Sequence, residues 1–256
     1  MEIREAVSTK RARRLIVAGV AAFLGLWCLL SYTDIVPSVI LPSPTEVLQA
    51  FPRLHFEEAL VRSAGWSFYR VTMGFVLAAL VAIPLGLLMG TFPAVKLFFA
   101  PVLDPLRFLP ISALVPLTIV WFGIEERQKI AFLFMGIVVY LLPLVVEAVE
   151  KVDDVYLQTA TTLGATKWQM VSEVLVPGSL PAIGEALRVI NGIGWTYVIL
   201  AEVINARYGL GALITVAGKR SHVDQIFALV LVILVIGVVT DLVIRFLNQR
   251  LFSWKS

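Results

Sequence analysis

Long apolar stretches separated by short polar ones run through most of this chain. A helix needs about 20 mostly apolar residues to cross the hydrocarbon core of a bilayer. Six stretches meet that requirement: Leu15 to Tyr32, Gly65 to Met89, Leu106 to Phe122, Ile130 to Val149, Ile183 to Val203 and Ile226 to Phe246. The third is crowded by Pro105, Pro110 and Pro116, which predicts a kinked or partly re-entrant path. The expected fold class is therefore an all-α membrane protein with six transmembrane helices. Its membrane domain covers residues 15–247, between short tails at 1–14 and 248–256.

Two connecting segments carry helical patterns of their own. Between the fourth and fifth spans, residues 150–182 form a loop long enough to suggest a function. Asp153 and Asp154 precede Val155, Leu157, Ala160 and Leu163, as in a capped short helix, and Gly164 breaks the run. A second stretch, Thr166 to Val176, presents Trp168, Val171, Val174 and Leu175 and is expected to stop at Pro177. The two make a compact helix-turn-helix elbow. Earlier, residues 44–62 mix Leu48, Phe51, Leu54, Phe56 and Leu60 with Glu46, Arg53, Glu57 and Glu58. That pattern predicts an interfacial amphipathic helix interrupted at Pro52, either a plain connector or a platform for an external partner.

Composition agrees with the bilayer reading. Apolar residues make up 59% and charged residues 15% of the chain, against roughly 45–50% and 25% in soluble domains. The basic cluster Lys10, Arg11, Arg13 and Arg14 precedes an apolar run with no convincing cleavage site, so the first span reads as a retained anchor. With the N-terminus in the cytoplasm, the inside segments hold twelve Lys and Arg, among them Arg4, Lys151, Lys167 and Lys255. The outside segments hold seven, while Arg70 and Arg188 fall within spans. The positive-inside rule then puts both termini in the cytoplasm. The lone Cys28 excludes a disulfide framework, and the scattered basic residues form no nucleic-acid-binding stripe.

The elbow resembles the cytoplasmic signature of ABC-type import permeases: Glu-Ala-Ala, three residues, Gly, nine residues, then Ile-x-Leu-Pro. Here Gln158-Thr159-Ala160 is followed at the same spacings by Gly164 and by Val174-Leu175-Val176-Pro177. Gln158 lacks the family's carboxylate. Further segments are similar to the branch importing sulfonates, taurine or nitrate, which also includes bicarbonate importers. They are Leu41-Pro42-Ser43-Pro44, Ile83-Pro84-Leu85-Gly86, Trp121-Phe122-Gly123-Ile124, Leu163-Gly164-Ala165-Thr166-Lys167-Trp168 and Tyr208-Gly209-Leu210-Gly211.

The resemblance implies a bacterial inner-membrane permease subunit whose elbow couples to cytoplasmic ABC ATPase subunits. It implies a second permease chain, an external or periplasmic solute-binding protein, and a small organic or inorganic anion as cargo. Leu163 and Ala165 are the residues expected to pack in the ATPase groove. ATP and Mg would be bound by the ATPase, and this chain would bind no cofactor or metal. In keeping with that, no Gly-x4-Gly-Lys-Ser/Thr loop occurs; Gly218-Lys219 is followed by Arg220. No catalytic constellation is present, and His55 and His222 stand alone.

Polar groups inside spans call for an explanation. Asn191, Trp195, Thr196, Tyr197 and Glu202 line the glycine-containing fifth span as candidates for the translocation path. Glu202 would sit near an external gate, or else reach the headgroups and bond the loop from Gly209 to Gly211. The spacings of Glu185 with Arg188, and of Asp241 with Arg245, predict structural ion pairs. Arg107 reads as an interfacial anchor. The rival reading is an ion-coupled secondary transporter, which would show inverted repeats and midplane charges. No convincing repeat is visible, and the charges cluster near span ends.

Overall fold

The computed structural model describes residues 8–33, 35–204 and 206–253; Arg4 and Lys255, counted above for orientation, lie outside them. The described residues are helical or in turns, with no strand. The helices are α1 (Thr9–Tyr32), α2 (Pro44–Phe56), α3 (Leu60–Thr91), α4 (Pro93–Leu103), α5 (Val115–Phe122), α6 (Glu126–Glu150), α7 (Asp154–Thr162), α8 (Lys167–Gln169), α9 (Val176–Val203), α10 (Leu210–Lys219) and α11 (Val223–Leu251).

Five spans are continuous by length and hydropathy: Thr9–Tyr32, Leu60–Thr91, Glu126–Glu150, Lys167–Val203 and Val223–Leu251. The sixth is broken. Pro93–Phe108 and Ile111–Phe122 meet at a bend of 99°. Two 3-10 turns, Asp104–Phe108 and Ile111–Leu114, flank Leu109 and Pro110 there. Pro105, Pro110 and Pro116 each stand at the start of a short element, because a missing N–H and a fixed φ suit a first turn, while Pro101 lies inside α4.

The chain divides into two compact units, Met1–Leu60 with Ile214–Leu231 and Val61–Leu213 with Val232–Ser256. In the first, Trp27 Nε1 donates to the Pro42 carbonyl at 2.9 Å and stacks with Phe227. Ser43 caps α2 in a reciprocal box with Glu46, and Val47, Ala50 and Leu54 are buried. The helix runs through Pro52 and is not interrupted there as expected. Pro52 is exposed, so the acceptor it leaves free, the Leu48 carbonyl, lies on the outer face of the helix.

In the second unit, α6 and α9 pack over a core that includes Ile137, Leu141, Val145, Ile183 and Ile190. Small residues bring α3 against α6. A Cβ added at Gly74 would lie 2.6 Å from Leu133 Cβ, and one at Gly86 2.6 Å from Val145 Cγ1. Helices in lipid associate through such close contact, since the hydrophobic effect does not drive them together.

The fifth span differs from expectation in its length. Helix does not stop at Pro177 but continues from Lys167 to Val203, passing through a π-helical stretch, Met170–Leu175. Pro177 and Pro181 cannot donate to carbonyls one turn back, and the wider turn just before Pro177 accommodates its ring. The second arm of the elbow and the span are thus one rod. A second correction concerns Asp241, which accepts Arg188 Nε at 2.7 Å from across the α9–α11 contact. Among the described residues no ion pair joins it to Arg245, whereas Arg188 does meet Glu185 at 3.1 Å.

Candidate functional site

The elbow is built by two consecutive capping devices. Asp153 caps α7, its side chain accepting from Val155 N–H at 3.0 Å. At the other end the Ala165 N–H reaches the Ala160 carbonyl and the Gly164 N–H the Thr161 carbonyl, each at 3.0 Å. Those two bonds define a Schellman motif, with Gly164 in the left-handed position at φ +80°. Glycine there avoids the steric penalty that any Cβ would incur. Two residues on, Thr166 and Gln169 form a capping box that starts the next helix. The chain therefore turns sharply and with little freedom.

This turn holds apolar side chains outward: Leu163 is 82% and Trp168 75% exposed, and Val155 and Tyr156 are exposed beside them. A groove of about 600 Å³ lies between α7 and the start of α9, lined by Thr159, Ala160, Leu163, Val174 and Pro177 among others. The structure thus gathers five of the sequence-selected elbow residues on one groove. Gln158 is exposed on α7, and Gly164 and Ala165 form the turn.

At the Val203 end of the same rod lies a charge cluster, buried except at Glu126, whose side chain is 40% exposed. Arg70 on α3 is 1% exposed and Glu202 on α9 is fully buried. The guanidinium forks onto Glu126 at the start of α6, Nε to Oε2 at 2.6 Å and Nη2 to Oε1 at 2.7 Å. Its Nη1 donates at 2.7 Å both to Glu202 and to the Tyr208 carbonyl. Glu202 also accepts from Ser67 Oγ at 2.7 Å and from the Gly211 N–H at 2.8 Å, and Ser67 accepts from the Leu210 N–H. Lys129, also buried, lies 3.7 Å from Glu126. Two cations and two anions offset one another, which is how charges are accommodated in a membrane protein interior. The segment after α9 wraps the cluster tightly. A Cβ at Gly209 would sit 2.5 Å from the Glu202 carboxyl carbon, which accounts for the glycine in Tyr208-Gly209-Leu210-Gly211.

Glu202 thus bonds the Gly209–Gly211 segment while its carboxylate stays away from any surface. Sequence reasoning noted Arg70 only as a charge within a span and missed Glu126 and Lys129 as its companions. The available signal was that two lone, opposite charges, each in an apolar run, require partners.

The other path candidates point in different directions. Asn191 donates to Thr240 at 2.9 Å, and Trp195 is buried against Gly237, both toward α11. Tyr197 packs against Gly136 and Phe132 of α6. Thr196 alone of the five lies on the exposed face of α9, in a stripe with Glu185, Val189, Gly192, Leu200 and Val203.

Residues 82–253 match the family described as the binding-protein-dependent transport system inner membrane component. The chain belongs to this family. Its membership makes it a multi-pass inner-membrane permease component of an ABC-type importer. The chain is 31% identical over 247 residues to the taurine transport system permease protein of Escherichia coli, spanning 94% of this chain and 90% of that one. It is 28% identical over 243 residues to the bicarbonate transport system permease protein of Synechocystis, spanning 91% and 86%. Its fold is similar to that of a chain in the inward-facing MetNI methionine ABC transporter. The TM-score is 0.63 at 19% identity, over 76% of this chain and 95% of that one.

Proposed function

We propose that this permease moves a small anion, such as a sulfonate, taurine, nitrate or bicarbonate, by alternating access powered by separate ATPase subunits. In this reading both termini and the elbow are cytoplasmic. Two permease chains, two ATPase subunits that bind ATP and Mg, and an external solute-binding protein make the working complex. The observation that carries the proposal is the rigid elbow, which presents Leu163 and Trp168 to solvent at the end of a helix continuous with a membrane span. Exposed large apolar groups on a fixed turn suit a partner's groove.

Energetics favour an external engine. Moving a two-state equilibrium from 1:99 to 99:1 takes about 5.5 kcal/mol of differential binding. ATP-driven closure of two subunits gripping two elbows supplies such a bias, and a weakly bound solute does not. The exposed stripe of α9 through Gly192 and Thr196 faces the path or the second chain. Asn191, Trp195, Tyr197 and Glu202 set the rotation of the helix that presents it.

Affinity purification of the tagged permease from its native membrane is expected to bring an ATP-binding subunit with it. Leu163→Asp buries a charge in the proposed groove and should reduce that recovery about tenfold or more at unchanged permease level. Equal recovery with Leu163→Asp would remove the elbow from the interface.

A further inference from the structure

The two ends of the rod formed by residues 167–203 are held very differently. At about 1.5 Å per residue it is roughly 55 Å long. Its elbow end is exposed and enters the span through a π-helical stretch. Midway it is joined to α11 by the Arg188–Asp241 pair, whose side chains are 32% and 36% exposed, and by the single Asn191–Thr240 bond. At its Val203 end, Glu202 is itself fully buried and sits in a multiply bonded cluster around Arg70, of whose charged side chains only Glu126, at 40% exposure, reaches the surface.

We propose that Arg70 is a positioning residue of the transport cycle, a fixed pivot that pins the outer end of α9 to α3 and α6 while the elbow end moves. The inference rests on the reading of the elbow as the ATPase contact. Four guanidinium bonds at 2.6–2.7 Å leave the cluster no slack. Opening it would strand the buried Glu202 carboxylate and the Arg70 guanidinium without partners in a region of low dielectric, a strongly unfavourable change. Glu202 therefore does not part from Arg70 in each cycle as an opening gate would. A push at the elbow becomes a swing of α9, with α6 packed along it, about this point, so the exposed stripe of α9 turns instead of sliding along the pore axis. An arginine is needed because its planar fork reaches Glu126 bidentately while a third nitrogen holds Glu202 and the Tyr208 carbonyl; an ammonium group cannot do all of this.

The test uses the permease–ATPase complex in proteoliposomes supplied with solute-loaded binding protein, with the permease in a Cys28→Ala background. Arg62 and Arg207 lie on the Tyr208 ring, their guanidinium carbons 3.9 Å and 5.5 Å from its centre, and neither side chain bonds the cluster. Arg62→Cys with Arg207→Cys, bridged by a bis-methanethiosulfonate about as long as the two replaced side chains, ties α3 to the segment after α9. Uptake is measured with taurine, butanesulfonate, nitrate and bicarbonate. A fixed pivot predicts that ATP-driven uptake changes by no more than about twofold on bridging, since the bridged points do not separate. A fall of about tenfold or more, reversed by reductant, would show that they do separate and would overturn the pivot.

Arg70→Lys provides an independent arm. It keeps the charge but loses the fork, and ATP hydrolysed per solute imported should rise about tenfold at equal complex assembly. An unchanged ratio would make Arg70 merely structural and would also overturn the proposal. A parent complex that hydrolyses ATP but drives no uptake of any probe would sink the ATPase reading and the pivot together. Coupling in the parent that is lost only on bridging would sink the pivot alone.

Discussion

Gly164→Val is expected to cut ATP-driven uptake by about tenfold or more while the permease still inserts and the ATPases still hydrolyse ATP. Gly164 has φ +80°, and an L-residue there costs about 1–2 kcal/mol, most for a β-branched one. That strain falls on the two Schellman bonds that set the angle between α7 and the rod. No neighbouring atom lies within 4 Å of the added Cβ, so the change is confined to the turn and spares the membrane core. Gly164→Asn tests the mechanism, because asparagine tolerates the left-handed region and should retain most uptake. Paired measurement of uptake and ATPase activity decides the matter. Undiminished uptake in Gly164→Val would mean that the elbow does not transmit the motion.

Arg70→Ala should have the largest effect on stability. Removing one member of a buried ion pair costs about 3–5 kcal/mol because the remaining charge loses its partner. Here the buried Glu202 would be left without its cation, while Glu126, 40% exposed, keeps Lys129 3.7 Å away, and the segment after α9 would lose its bond at the Tyr208 carbonyl. Folded permease recovered from the membrane should fall steeply, and the thermal midpoint of what remains should drop. Replacing Arg70 and Glu202 together by Met and Leu removes the stranded buried carboxylate, leaves Glu126 with Lys129, and should restore much of the folded yield. Equal midpoints for Arg70→Ala and the parent would contradict the clamp as drawn from these distances. A comparable loss on Arg188→Ala is not expected, since the partner it leaves, Asp241, is 36% exposed instead of buried.

Much of this architecture was legible in the residue pattern because a bilayer imposes a simple rule, about 20 apolar residues per crossing. The prolines at 105, 110 and 116 foretold the broken third span, and Gly164 between two amphipathic stretches foretold the elbow. Local punctuation misled where packing prevailed. Pro177 reads as a stop, yet a π-helical turn absorbs it and the helix continues. Pro52 reads as a break, yet α2 passes through it with the proline on the outer face. Asp241 and Arg245 have the right spacing for a pair, but Arg188 approaches Asp241 from another helix with better geometry.

The least legible feature was the cluster around Arg70. Its members come from four places in the chain: α3, the start of α6, the end of α9 and the turn before α10. Periodicity assigns a residue to a face of its own helix and says nothing of which distant charge will meet it. Two solitary opposite charges in apolar runs were the clue, and only tertiary structure pairs them. The five path candidates on α9 illustrate the same limit. They share a helix, but its rotation sends Asn191 and Trp195 toward α11, Tyr197 toward α6 and Glu202 toward α3, leaving Thr196 on the open face.

The central claim is that force enters this permease at the elbow from a partner that uses ATP. It is tested most directly in vesicles containing the permease with and without its ATPase subunits, supplied with solute-loaded binding protein and either ATP or an imposed proton or sodium gradient. The account predicts accumulation only with the ATPases and ATP. Accumulation by the permease alone, driven by an ion gradient, would contradict it.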